Sequence, residues 1–244
     1  MCLSAQVSFA ASVFLVVGGT AITIVAARKN WRYVPMALMP LFAGLQQFME
    51  GNVWLGMTGD NPYQVLWGAL GFIFFTWFMW PIWVPFAMYV IEPAQSPRMP
   101  LFLIFSLVGL VFGVLLYVPH GLHPEMVVVE INNQSLAYEK SIWLDYMMPR
   151  WLTNVIYVLL IIMPPALSHY LHLRHFALTL VAVVVVDITL LTFAYISFFC
   201  LLAGLATLHL VYIILTNKCA RECPELFPET DSSIRLMKSL SDPL

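Results

Sequence analysis

Residues 176–216 read FALTLVAVVVVDITLLTFAYISFFCLLAGLATLHLVYIILT. No Lys, Arg or Glu interrupts this run, and Asp187 is its single acid. A helix needs about 20 mostly apolar residues to cross a bilayer. The run is therefore about twice the length of one span and must fold back on itself. The turn is expected near Tyr195 to Ser197, which divides the run into spans at 176–195 and 196–216.

Working outward with the same ruler, five more apolar segments lie at 8–27, 34–57, 64–91, 101–118 and 151–168, seven in all. The second stops at the turn cluster Thr58-Gly-Asp-Asn-Pro62. The third would measure about 42 Å as a straight helix. Pro81 and Pro85 each remove a helix hydrogen bond there, which predicts a kink. Pro164-Pro165 distorts the end of the fifth. Of the 244 residues, 61% are hydrophobic and only 10% are Asp, Glu, Lys or Arg, against about 25% charged in a soluble domain. Soluble classes are thereby excluded, and the expected fold is an all-α integral membrane protein, a seven-helix transmembrane bundle in a lipid bilayer. A net charge of -2 offers no electrostatic footprint for nucleic acid. The first segment lacks a basic leader and ends at Arg28-Lys29 without a small-residue cleavage site, so it is read as a span, not a signal peptide.

Cytoplasmic loops carry the excess of Lys and Arg. With the N-terminus outside, Arg28, Lys29, Arg32, Arg98, Arg174, Lys218 and Arg221 fall inside, and only Lys140 and Arg150 fall outside. The outer loop, 119–150, holds two strand-prone runs at 126–131 and 136–143 around a polar turn, which predicts a small β-hairpin lid. Residues 1–216 form the membrane domain in this reading. Residues 217–244 form a flexible inner tail with a short surface helix around 232–240, and that tail is the candidate surface for a partner protein.

A carboxylate inside a span is costly and marks a candidate site. Glu50 lies in the outer half of the second span, with Gln46 and Gln47 one turn earlier on the same face, where they can share hydrogen bonds with a protonated carboxyl. Asp187, set among valines, must face another helix, and His209 near the centre of the last span is its expected partner. Together Glu50, Asp187 and His209 would form a buried polar centre suited to a proton, a divalent metal ion or a small ligand. Cys2, His120, His123 and Glu125 form a second, outer set of possible metal ligands. His169, His172, His175 and Arg174 read as a basic strip at the inner interface. Cys219 and Cys223 offer a weak zinc pair or a palmitoylation site. Trp77, Trp80 and Trp83 read as packing, and Gly109-x-x-x-Gly113 as close helix approach. Asn133-Gln-Ser135 is a glycosylation sequon, meaningful only in a eukaryotic host.

Other seven-span readings lose support at single positions. The last span has no Lys for a retinal Schiff base, and His209 stands there without the second histidine of seven-span zinc hydrolases. The opening Met1-Cys-Leu-Ser-Ala5 and the run Gln46-Gln-Phe-Met-Glu-Gly-Asn-Val-Trp-Leu55 resemble an uncharacterised, mainly bacterial family of multi-pass membrane proteins that begin Met-Cys-Phe-Ser-Ala. Leu3 departs from that pattern. The resemblance implies the architecture and a bacterial plasma (inner) membrane, and assigns no activity. The leading expectation is a protein that binds or moves a proton, metal ion or small ligand through the buried polar centre. A metal-dependent intramembrane hydrolase or redox enzyme, and a non-catalytic assembly or signalling partner, are the alternatives.

Overall fold

The structure, a computed structural model, describes residues 4–132, 135–138, 143–190 and 195–222. Helix α1 spans Ala5–Lys29 and starts where the Ser4 hydroxyl accepts the Val7 N–H. A single turn at Trp31–Tyr33, capped by the Asn30 side chain, leads into α2, Val34–Thr58. Each helix has 25 residues and measures about 37 Å. Glycines let the two backbones touch: a Cβ on Gly19 would fall on the Leu41 backbone, and one on Gly44 would lie 2.8 Å from the Val16 nitrogen. Asp60, in the left-handed region at φ 48°, turns the chain, and Asn61 caps α3, Pro62–Ile73.

Helix α3 continues through a wide π turn at Phe74–Met79 into α4, Trp80–Ile91, as one candidate span. The sequence predicts a proline kink, and the distortion takes the form of this turn, in which the Trp80 N–H reaches back five residues to the Phe75 carbonyl. Its cause is local. Pro81 and Pro85 have no N–H, so the carbonyls four residues earlier, on Trp77 and Pro81, lose their helical donors. Those two carbonyls face the glycine pair of α5, Met99–Leu122. A Cβ on Gly109 would strike the Pro81 carbonyl, and one on Gly113 would lie 3.2 Å from the Trp77 oxygen. The Ser106 hydroxyl donates to the Ile82 carbonyl at 3.0 Å on the same seam. The four-residue spacing of prolines on one helix thus matches the four-residue spacing of glycines on its neighbour.

After α5, strands β1, Glu130–Asn132, and β2, Ser135–Ala137, pair antiparallel with Ile131 opposite Leu136. The strands are shorter than the predicted runs. Leu136 and Tyr138 pack into the helix core with Phe72, Trp77 and Leu116, so the hairpin is seated on the bundle.

Helix α6 spans Arg150–Leu167 and α7 spans Leu171–Leu190. Glu92 fixes the corner between them. Its carboxylate, fully buried, accepts from the Ser96 hydroxyl at 2.8 Å, the Ser168 hydroxyl at 3.1 Å and the His169 N–H. Helices α8, Tyr195–Ala206, and α9, Leu208–Leu215, are joined at Thr207. The turn expected at Tyr195 to Ser197 is therefore helical, and the connection falls at 191–194, outside the described residues.

The chain is helical and carries four stretches, among the described residues, that are long and apolar enough to cross a membrane: Ala5–Lys29, Pro62–Ile91, Met99–Leu122 and Arg150–Leu167. Its polarity is inverted relative to a soluble protein, with Val13, Val17 and Val111 exposed while Gln46, Gln47, Glu50 and Asp187 are buried. That arrangement suits a hydrocarbon solvent.

The segment expected to begin the flexible tail at 217 carries a helix in its first described residues. Helix α10, Lys218–Glu222, is docked, not free. The Ala220 N–H donates to the Tyr33 hydroxyl, Glu222 accepts the Leu171 N–H at 2.8 Å, and Lys29 donates to the Ile214 and Leu215 carbonyls and to Asn217. Cys219 is fully buried in this contact, which removes it as an accessible palmitoylation site. Cys2, Asn133, Cys223 and the tail helix expected at 232–240 lie outside the described residues.

Candidate functional site

The buried face of α2 carries Gln46, Gln47 and Glu50, each about 1% exposed. The Gln47 amide donates to Glu50 Oε2 at 3.0 Å. Gln46 sits in a chain of hydrogen bonds across to the third span. The Trp80 indole N–H donates to Gln46 Oε1 at 2.7 Å, and the Gln46 amide donates to the Thr76 hydroxyl at 2.7 Å. Thr76 in turn donates to the Phe72 carbonyl and lies 3.7 Å from the Cys200 thiol of α8. Thr76 belongs to the π turn, whose extra residue rotates this face of the third span toward α2.

Cys200 is buried within electrostatic reach of both Glu50, on α2, and Asp187, on α7. The hairpin closes the group from its own end. Tyr138 stacks on Phe72 at 4.6 Å between ring centres, and burial, followed by the nearby charge of Glu50, pushes its phenol well up. Among the described residues, the Tyr138 hydroxyl, Gln47 Oε1 and Trp54 Nε1 are buried without a hydrogen-bond partner.

His209 does not join this centre. Its ring packs on Phe176 and Tyr212, within electrostatic reach of His172 and His175. His175 and Asp187 are 12 residues apart on α7, about 18 Å along its axis. The expected Asp187–His209 pairing is thereby corrected: His209, on α9, lies beside the start of α7, while Asp187 lies near the end of α7. The reason is the antiparallel packing of α7 against α8 and α9, which brings α9 beside the first turns of α7.

The outer ligand set also separates. His120 is buried against Trp77, and its Nδ1–H donates to the Leu116 carbonyl at 2.8 Å. His123 and Glu125 pair at 3.0 Å on the surface, where the Glu125 backbone N–H and then His123 hold that carboxyl below its usual range. Among the described residues, no three of His, Cys, Asp and Glu are grouped to hold a metal ion.

Thr76, Trp80, Tyr138 and Cys200 are site residues that sequence reasoning passes over. The available signals were the prolines after Thr76, which force an irregular turn, and the aromatic body with a polar tip at Trp80 and Tyr138. A model for one protein family covers residues 1–225. The chain belongs to the family of unknown function DUF6629. No curated protein and no solved structure matches it. The family match extends over the whole polar centre and over α10, so both belong to the shared unit.

The indole N–H of Trp80 is the donor that completes Gln46. Trp80→Phe is expected to leave Gln46 Oε1 unpaired and to lower stability by about 1–3 kcal/mol, read as the thermal unfolding of the detergent-purified protein. A change below a few tenths of that would show that the bond contributes nothing.

Proposed function

We propose that this protein is a seven-span bundle, N-terminus outside and C-terminus inside, of a bacterial plasma membrane, and that it binds and moves protons through the carboxyl of Glu50. The observation that carries the reading is a carboxyl at 1% exposure on an apolar helix, beside an amide donor and within electrostatic reach of the Cys200 thiol and the Tyr138 phenol. Acids kept at bilayer depth mark ion and proton pathways. The neighbours of Glu50 named above can each donate or accept a hydrogen bond without carrying fixed positive charge, which suits a group that exchanges a proton. A cavity of about 40 Å3 beside Trp80 and Cys200 is too small for an organic substrate.

The basic residues support the orientation. Lys29, Arg32 and Arg174 are engaged at the corner formed by Glu92, Ser168 and the end of α9, while the hairpin occupies the opposite end. All of these cations share one end of the bundle, as the charge rule requires.

The test is proton flux into dye-loaded liposomes carrying the full chain. Glu50→Gln keeps the shape and the hydrogen-bonding capacity but cannot release a proton, and it is expected to reduce flux at least tenfold, equivalent to about 1.4 kcal/mol in the barrier. Flux equal to the wild type would remove Glu50 from the mechanism.

A further inference from the structure

The unpaired atoms around Glu50 differ in what they can do. Gln47 Oε1 can only accept a hydrogen bond, Trp54 Nε1 can only donate one, and the Tyr138 hydroxyl can do either. All three side chains are more than nine-tenths buried. A buried polar atom without a partner is costly, so a folded chain that keeps several at one place has a use for them.

Helix contacts place them at one depth. Residues 49–53 of α2 lie against residues 68–71 of α3: a Cβ on Gly68 would lie 3.0 Å from the Met49 carbonyl and the Val53 nitrogen, and one on Gly71 would meet the Met49 side chain. Phe72 follows directly, and Tyr138 stacks on its ring at 4.6 Å. The hairpin therefore delivers the phenol to the level of Glu50, within electrostatic reach of the carboxyl. Trp54 stands one turn beyond Glu50 on the same face of α2 and packs in the same cluster as Tyr138 and Phe72. Gln47 Oε1 shares an amide with the nitrogen that donates to Glu50 Oε2 at 3.0 Å.

A carboxyl that takes up and releases a proton needs different neighbours in its two states. Protonated, it needs an acceptor for its O–H; ionised, it needs donors to its oxygens. Resting on the proton reading above, we propose that Tyr138 is a positioning residue for Glu50, its hydroxyl held unpaired while the carboxyl keeps its proton and turned to donate to the carboxylate once the proton has left. Gln47 serves both states, with Oε1 accepting the carboxyl O–H in one and the amide N–H donating in the other after the amide turns over. No bond of Tyr138 breaks in this exchange. Burial and the nearby charge of Glu50 push its phenol well up, so it remains a donor throughout. The titratable groups facing Glu50 are this phenol from the hairpin and the Cys200 thiol from α8, and Asp187 of α7 and Tyr157 of α6 are within electrostatic reach of that thiol.

The experiment is an infrared titration of the full chain in liposomes, following the carboxyl stretch that Glu50→Gln removes, together with proton flux and thermal unfolding. Tyr138→Phe keeps the ring on Phe72 and deletes only the hydroxyl. It is expected to raise the pH at which Glu50 is half ionised by about one pH unit, a tenfold change in that equilibrium, and to lower flux several-fold. Its unfolding midpoint, measured where Glu50 is protonated, is expected to equal or exceed the wild type's, because the hydroxyl removed had no partner. Tyr146→Phe, at a phenol that is 82% exposed, is expected to change none of the three. An unshifted Glu50 titration in Tyr138→Phe would overturn the role of Tyr138, and loss of flux in Glu50→Gln alongside it would leave the Glu50 reading intact. A lower unfolding midpoint in Tyr138→Phe would show that the hydroxyl is already bonded in the protonated state and would overturn the proposal as well. A shifted titration in a wild type that passes no protons would uphold the contact and overturn the reading of Glu50 as a carrier.

Discussion

Gly109→Ala is expected to cost stability at the top of the roughly 1–3 kcal/mol range seen when a packed contact is overfilled, and Gly109→Leu is expected to abolish recovery of the folded protein. The added Cβ has no flexible neighbour to displace. It would meet the carbonyl of Pro81, a backbone group on the facing helix. That carbonyl has Pro85 four residues ahead, so the helix supplies it with no N–H, and the close approach of α5 is what covers it. Pushing the helices apart would both open the seam and leave the carbonyl exposed to hydrocarbon. Gly18 provides the control, since nothing lies within 4 Å of a Cβ built there. Gly18→Ala is expected to change stability by less than about 0.5 kcal/mol. Thermal unfolding in detergent, followed by size exclusion, reads both. Equal stability of the two variants would show that the glycine–proline seam does not hold the bundle together.

The second large effect is expected at the corner where α4, α6 and α7 meet. Glu92→Ala removes the acceptor for the Ser96 and Ser168 hydroxyls and for the His169 N–H. A buried donor left without its acceptor costs about 1–3 kcal/mol, so the three donors left by Glu92→Ala together lose on the order of 3–5 kcal/mol. On a chain of this size that corresponds to a fall in the unfolding midpoint on the order of 10 °C. Glu92→Gln retains one acceptor oxygen and is expected to lose about half as much. Ser96→Ala, which removes a single partner, should lose least. If Glu92→Ala unfolds with the wild type, the corner is held by the surrounding apolar contacts of Tyr170, Phe102 and Ile91 instead.

Much of the architecture can be read along the chain because its causes are local. Hydropathy and length identify the apolar segments, since a bilayer accepts only long runs without charge. The same holds for the seam between α4 and α5. Pro81 and Pro85 announce the defect, Gly109 and Gly113 announce a small-residue face, and both spacings are visible without coordinates. Glu50 with Gln46 and Gln47 is likewise one face of one helix.

The partners across helices are a different matter. His209 and Asp187 are each near the middle of an apolar segment, yet the antiparallel packing of α7 and α9 places His209 beside Phe176, about 16 Å along α7 from Asp187. Which residues meet is set by the pairing of the two segments, not by either one alone. Cys200 reads as one apolar residue among many, and becomes part of the site only because α8 lies against the π turn that carries Thr76. Tyr138 is a loop residue in sequence and a core residue in space, brought in by the hairpin stacking on Phe72.

By itself, then, the sequence determined the solvent, the helices and the faces they present, because propensity and hydropathy act within a few turns. The tertiary structure alone decided which polar group meets which. That choice depends on the rotation and sliding of whole helices, and these are settled by contacts between residues far apart in the chain, such as Gly109 on Pro81, Glu92 on Ser168 and His169, and Lys29 on the end of α9.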